Sequence, residues 1–137
     1  MMIIGRLVTN FSLEEMMNTK ADGVKLILTP AVVEHAQMMQ ELRDWYNRPL
    51  NVSSWYRTPA FNTSVGGSSN SAHLDGLATD INNIPANMYE RFITAWQVIC
   101  KTHNKVGGCV LYDWGMHFDS YSDKFGFSTF RLVDSRG

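Results

Sequence analysis

Three side chains of this chain could do chemistry together: His73 and Asp80, in the segment SAHLDGLATD from Ser71 to Asp80, and His117, in GMHFD. Two imidazoles and a carboxylate can close around one divalent cation and leave a fourth position open. That vacancy separates a catalytic zinc site from a structural one. The mixed nitrogen and oxygen set suits zinc better than calcium or magnesium, which prefer oxygen alone. An open position on zinc points to hydrolysis.

The elements around these residues have to bring them to one point. Gly76 permits a turn that a residue with a β-carbon resists. Leu77 to Ile81 then alternate as a strand, with Ala78 and Asp80 on one face and Leu77, Thr79 and Ile81 on the other. His73 before the turn and Asp80 after it can therefore converge. The third ligand has to come from elsewhere, and His117 is favoured because Cys109 to Tyr112, then Met116 and Phe118, read as strands on both sides of it. His35 and His103 fall on polar stretches of helices or their ends and read as solvated surface residues.

Ser12 and Glu15 have capping-box spacing at the head of a short helix through about Thr19. Thr29 and Pro30 open the longest helix, since proline at the first helical position loses no needed hydrogen bond. Val33, Ala36, Met39 or Gln40, and Trp45 recur on one face of it, and Pro49 stops it. Leu50 to Tyr56 reads as a strand. Thr58 and Pro59 begin a short helix that ends near Gly66 and Gly67, and the polar loop Ser68 to Ser71 leads to His73. Met88, Phe92, Trp96 and Ile99 mark a second long amphipathic helix, from Met88 to His103. Gly107 and Gly108 break the chain before the next strand, and Phe125 to Val133 supplies an edge strand. Helices come first and between while strands cluster around the candidate ligands, so the expected class is α+β, an antiparallel sheet carrying the ligands and backed by helices.

At 137 residues and 45% hydrophobic, residues 1–137 fit a single domain whose core needs no disulfide. A formal net charge of -1 lacks the basic footprint of nucleic-acid binders. The start MMIIGRLVTNF has neither the cleavage site of a signal peptide nor the length of a membrane span, so cytoplasmic synthesis is expected. Cys100 and Cys109 lack metal-knuckle or redox spacing and read as reduced, buried thiols.

The run SSWYRTPAFNTSVGGSSNSAHLDGLATDI, from Ser53 to Ile81, closely resembles the zinc D-alanyl-D-alanine carboxypeptidase family, in particular its small phage-encoded members. The resemblance is carried by Tyr56 and Arg57, Pro59, Asn62, the Gly66 and Gly67 turn, and the S-x-H-x-x-G-x-A-x-D arrangement. FSLEEMM from Phe11 to Met17 and the stretch after Pro30 extend it over most of the chain. It implies a Hedgehog and D,D-peptidase-like fold, zinc held by His73, Asp80 and His117, a substrate contact from Arg57, and cleavage of stem peptides in bacterial peptidoglycan. A wall-cutting enzyme without its own export signal fits a phage-type lysin.

One departure from the family matters. Many members carry an acid three residues before the last histidine, and here that position is Trp114. Asp113 is the first choice for general base, and Asp119 is the other candidate, or else it orients a ligand from behind. Arg57 suits a substrate carboxylate or an oxyanion. Ser71 can touch the substrate or cap its loop, and Trp114 can wall the pocket. The missing acid motivates one alternative, a zinc-containing wall-binding module without turnover; a virion or structural module whose fold is stapled by metal is a further one. The bond cut and the oligomeric state stay open.

Overall fold

The Thr29 hydroxyl accepts from the Val32 amide at 3.2 Å and Pro30 takes the first helical position, so the longest helix begins where the sequence says it should. The computed structural model describes residues 8–16, 28–57, 59–67, 71–120 and 129–137. In chain order these form α1 (Leu13–Met16), α2 (Pro30–Tyr46), β1 (Val52–Ser54), α3 (Pro59–Ser64), a 3-10 turn (Ala72–Asp75), β2 (Ala78–Ile81), a second 3-10 turn (Ala86–Met88), α4 (Tyr89–Thr102), β3 (Gly108–Tyr112), β4 (Gly115–Asp119) and β5 (Arg131–Asp134). The expected extension of α1 to Thr19 and the start of the last strand at Phe125 lie outside the described residues.

The five strands form one sheet in the order β1-β2-β4-β3-β5. The first four pair antiparallel, but β5 runs parallel to β3, so the sheet is mixed and not purely antiparallel as expected. The cause is topological. β4 ends at Asp119 and β5 begins at Arg131, both beside Gly108 of β3, so the chain turns back at one end of the sheet and skips across β3, leaving β5 opposite to β4 and along β3.

Register sorts the two faces of the sheet. Thr79 pairs with Phe118 and Phe118 with Cys109, while Ile81 pairs with Met116 and Met116 with Leu111. Those residues face α2 and α4, where Val32, Ala36, Met39, Leu42, Phe92 and Trp96 are buried. Trp96 meets Phe118 edge-on at 5.4 Å between ring centroids. Each such apolar side chain contributes about 1.5–3 kcal/mol through burial. The opposite face carries Asp80 and His117, which are register partners.

Two expectations for α2 need correction. Its buried face is Val32, His35, Ala36, Met38, Met39 and Leu42, while Val33 is half-buried and Trp45 is 45% exposed. The helix is thus rotated by about one residue from the expected stripe, and His35 is fully buried instead of solvated. The helix ends at Tyr46, ahead of Pro49 as expected, with the Asn47 N–H donating to the Arg43 carbonyl and the left-handed φ of 58° at Asn47 turning the chain out of the helix. Among the described residues no helix is long and apolar enough to cross a membrane.

Candidate metal centre

Asp80 lies on β2 between two neighbours, opposite Ser54 on β1 and His117 on β4. Strand alternation sends its carboxylate to the face opposite Thr79 and Ile81. His73 arrives from the 3-10 turn, whose start is fixed by Ser71: its hydroxyl accepts from the His73 amide at 3.2 Å. Gly76 ends that turn at φ 74°, a left-handed conformation that costs a residue with a β-carbon roughly 1–2 kcal/mol. The turn folds the chain back so that His73 Nε2 stands 3.1 Å from Asp80 Oδ1, and His117 Nδ1 stands 3.0 Å from the same oxygen. One ligating atom from each residue lies within 4.8 Å of the others.

The hydrogen bonds behind these atoms decide what can sit between them. His73 Nδ1 is 2.5 Å from the Trp55 carbonyl oxygen, which can only accept, so that nitrogen carries the proton. The His73 Nε2 lone pair then points at a carboxylate oxygen. His117 has a carboxylate at each nitrogen: Nε2 is 2.9 Å from Asp119 Oδ2 and Nδ1 is 3.0 Å from Asp80 Oδ1. The His73 lone pair facing an anionic oxygen repels it unless a cation or a proton joins them. A proton can play that part only by charging His73, and burial pushes the His73 pKa below its ordinary value, against the Asp80 charge that pulls it up. A divalent metal removes the conflict and takes the place of a proton on His117 Nδ1, with Asp119 still behind Nε2. The donor set therefore fits zinc.

Burial by itself raises the Asp80 carboxyl, but the His73 and His117 imidazoles outweigh it and hold the group below the usual carboxylate range. Burial likewise lowers His117, and hydrogen bonds to Asp119 and Asp80 reverse the effect, to about 9. Asp119 is completely buried. Burial raises it, while the His117 hydrogen bond and the Arg131 charge bring it down. Arg131 from β5 donates to Asp119 Oδ2, and the Trp96 indole N–H donates to the Asp119 carbonyl at 3.0 Å. Of the two readings left open for Asp119, this geometry is that of a residue orienting His117.

Arg57, mostly buried, donates from Nη2 to Asp80 Oδ2 at 3.2 Å and from Nε to Ser54 Oγ at 3.1 Å. It lines a cleft of about 410 Å3 together with Ser54, Val65, Asp80, Asn82 and Trp114. A larger groove of about 600 Å3, between α2 and α4 at Trp45 and Val98, contains none of the three ligands. Of the three candidate ligands, Asp80 lines the smaller cleft.

The remaining candidates are placed as follows. Trp114 is 47% exposed on the cleft wall and stacks on Tyr112 at 4.7 Å. Asp113 shares the β3–β4 turn with Trp114, is exposed, and accepts from the Gly137 amide at 3.1 Å. Ser71 caps the turn that bears His73. His103 is partly exposed and bridges Glu34 and Glu41. Cys100 and Cys109 are buried free thiols, with pKa values raised by burial. Sequence reasoning missed the Trp55 carbonyl behind His73 and the Arg131 guanidinium behind Asp119. A main-chain acceptor has no sequence signature, and Arg131 reaches the site only through the pairing of β5 with β3.

A profile of the peptidase M15 family matches residues 9–118, a span that includes Arg57, His73, Asp80 and His117. The chain belongs to this family of zinc metallopeptidases. No curated protein matches it significantly.

Proposed function

We propose that the chain hydrolyses peptide bonds in the stem peptides of bacterial peptidoglycan, as a D,D-carboxypeptidase or an endopeptidase, with zinc held by His73, Asp80 and His117. The observation that carries this reading is the convergence of His73 Nε2, Asp80 Oδ1 and His117 Nδ1, with the other nitrogen of each imidazole already committed to an acceptor. Zinc at such a site polarises a carbonyl and lowers the pKa of water towards about 7.

The chain's own groups divide the remaining work. Arg57 binds the substrate carboxylate or the oxyanion that develops on the scissile carbonyl, for its planar fork already faces the cleft beside Asp80. Trp114 supplies an apolar wall of the same cleft, and Ser71 caps the turn that carries His73. Asp113 takes a proton from water and passes it to the leaving amine. It stands exposed in the β3–β4 turn beside Trp114, where its carboxylate accepts from the Gly137 amide. The expected setting is a phage-type lysin made in the cytoplasm and acting on the wall after release.

Trp114 in the place of the family's acid favours one second reading, a wall-binding module that holds zinc without turnover. Digestion of purified peptidoglycan with mass spectrometry of the products separates the two. The peptidase reading expects released D-alanine or cleaved stem peptide, loss of product with a chelator, and recovery with added zinc. Activity that persists in both His73→Ala and Asp80→Ala refutes it, and tight zinc with no product from any stem peptide leaves the binding module.

A further inference from the structure

His35 lies on the opposite side of the sheet from the ligand set, completely buried. Its Nε2 is 2.9 Å from Thr79 Oγ1 and its Nδ1 is 2.8 Å from Ser120 Oγ. In either tautomer one ring nitrogen donates and the other accepts, and a hydroxyl can answer both. The ring also packs edge-on against Trp55 at 5.4 Å and Trp96 at 5.8 Å between centroids.

Those four neighbours are the residues that set the ligand geometry. Thr79 precedes Asp80 on β2. Ser120 follows Asp119, which holds the far nitrogen of His117. Trp55 offers the carbonyl that fixes His73, and Trp96 donates to the Asp119 carbonyl. One side chain on α2 thus touches the supports of all three ligands. Burial keeps the ring neutral, pushing its pKa down to about 3, so it meets these partners as a neutral imidazole.

We infer that His35 is a positioning residue for the zinc site: it fixes β2 and the end of β4 from behind, so that Asp80 and His117 meet His73 at metal-binding distance. This rests on the three residues holding zinc as proposed above. Mere filling of the core needs only ring volume. Positioning needs the two hydrogen bonds, because they fix the rotation and height of Thr79 and Ser120 relative to α2.

The test is zinc affinity by competition with a chromophoric chelator, measured on the folded 137-residue chain alongside unfolding of the metal-free form. His35→Phe keeps a ring and loses both hydrogen bonds, and it is expected to lower zinc affinity by roughly 10–100-fold. His35→Gln, which can restore a partner to Thr79, recovers part of that loss. Thr79→Val and Ser120→Ala each lower affinity in the wild-type background and add nothing further in the His35→Phe background. If His35→Phe does not fold, the Thr79 and Ser120 variants carry the test. Wild-type zinc affinity in a folded His35→Phe, or in both hydroxyl variants, overturns the inference while leaving the zinc reading intact. A wild-type chain that takes up no zinc overturns that reading, and the positioning role with it.

Discussion

His117 and Asp119 stand two residues apart on β4 and meet through Nε2 and Oδ2 at 2.9 Å, so the strand that carries a candidate ligand also holds that side chain's far nitrogen. Strand alternation is what makes this possible, since residues i and i+2 share a face. His73 achieves the same end through the Trp55 carbonyl. Each imidazole thus has an acceptor for the nitrogen turned away from the candidate metal position, so the orientation of both rings is set by the fold.

Weakening that support should show first in the metal. Asp119→Asn keeps the shape but removes the charge behind His117, and a loss of about 10–100-fold in zinc affinity is expected. Competition titration on folded protein checks it. Unchanged affinity contradicts the orienting role.

Arg57 is expected to act on the substrate more than on the metal. Arg57→Lys keeps the positive charge but loses the fork that spans Ser54 and Asp80. kcat/KM for a stem peptide should fall by about 100–1,000-fold, the scale of losing one oxyanion donor, while zinc stoichiometry is retained. Kinetics within a few-fold of wild type remove Arg57 from the proposed site.

The proton acceptor can be isolated in the same assay. Asp113→Asn should lower kcat by about 100–10,000-fold with zinc content unchanged, as expected when a general base is removed. A variant that keeps its rate shows that the proton leaves by another route.

Away from the cleft, His103 joins α4 to α2 through Glu34 and Glu41. Burial opposes its charge, but the two carboxylates win and raise its pKa, while the His103 hydrogen bond lowers that of Glu34. A raised histidine contributes stability that is complete below its unfolded pKa of about 6.5 and is lost as pH rises through the folded value. The lowered Glu34 contributes stability present above about 4.3 and lost as pH falls through its folded value. The difference in urea stability between metal-free wild type and His103→Gln should therefore be largest between about pH 4.5 and 6.5, and no more than about 1 kcal/mol for so exposed a pair. A difference that does not vary with pH contradicts this account.

The convergence of the three candidate ligands was legible because its signals are local or strictly periodic. Gly76 marked the turn, alternation put Asp80 and Thr79 on opposite faces, and Thr29 with Pro30 marked a helix start that the structure reproduces. The rotation of α2 was not legible. Val32, Val33, Ala36, Met38, Met39 and Leu42 spread apolar side chains around much of the helix, so a shift of one residue hardly changes the pattern. The burial of His35 depends on that shift and on hydroxyls 44 and 85 residues away, which no local pattern announces. The parallel pairing of β5 was hidden for a similar reason: alternation is the same for either strand direction.

The most direct measurement is the metal content of the purified 137-residue chain, combined with X-ray absorption at the zinc edge. One zinc per chain is predicted, with two imidazole nitrogens and carboxylate oxygen among its neighbours, and loss of that signal in His117→Ala. Sulfur coordination from Cys100 or Cys109, or a wild-type chain that binds no zinc at stoichiometric concentration, contradicts the account.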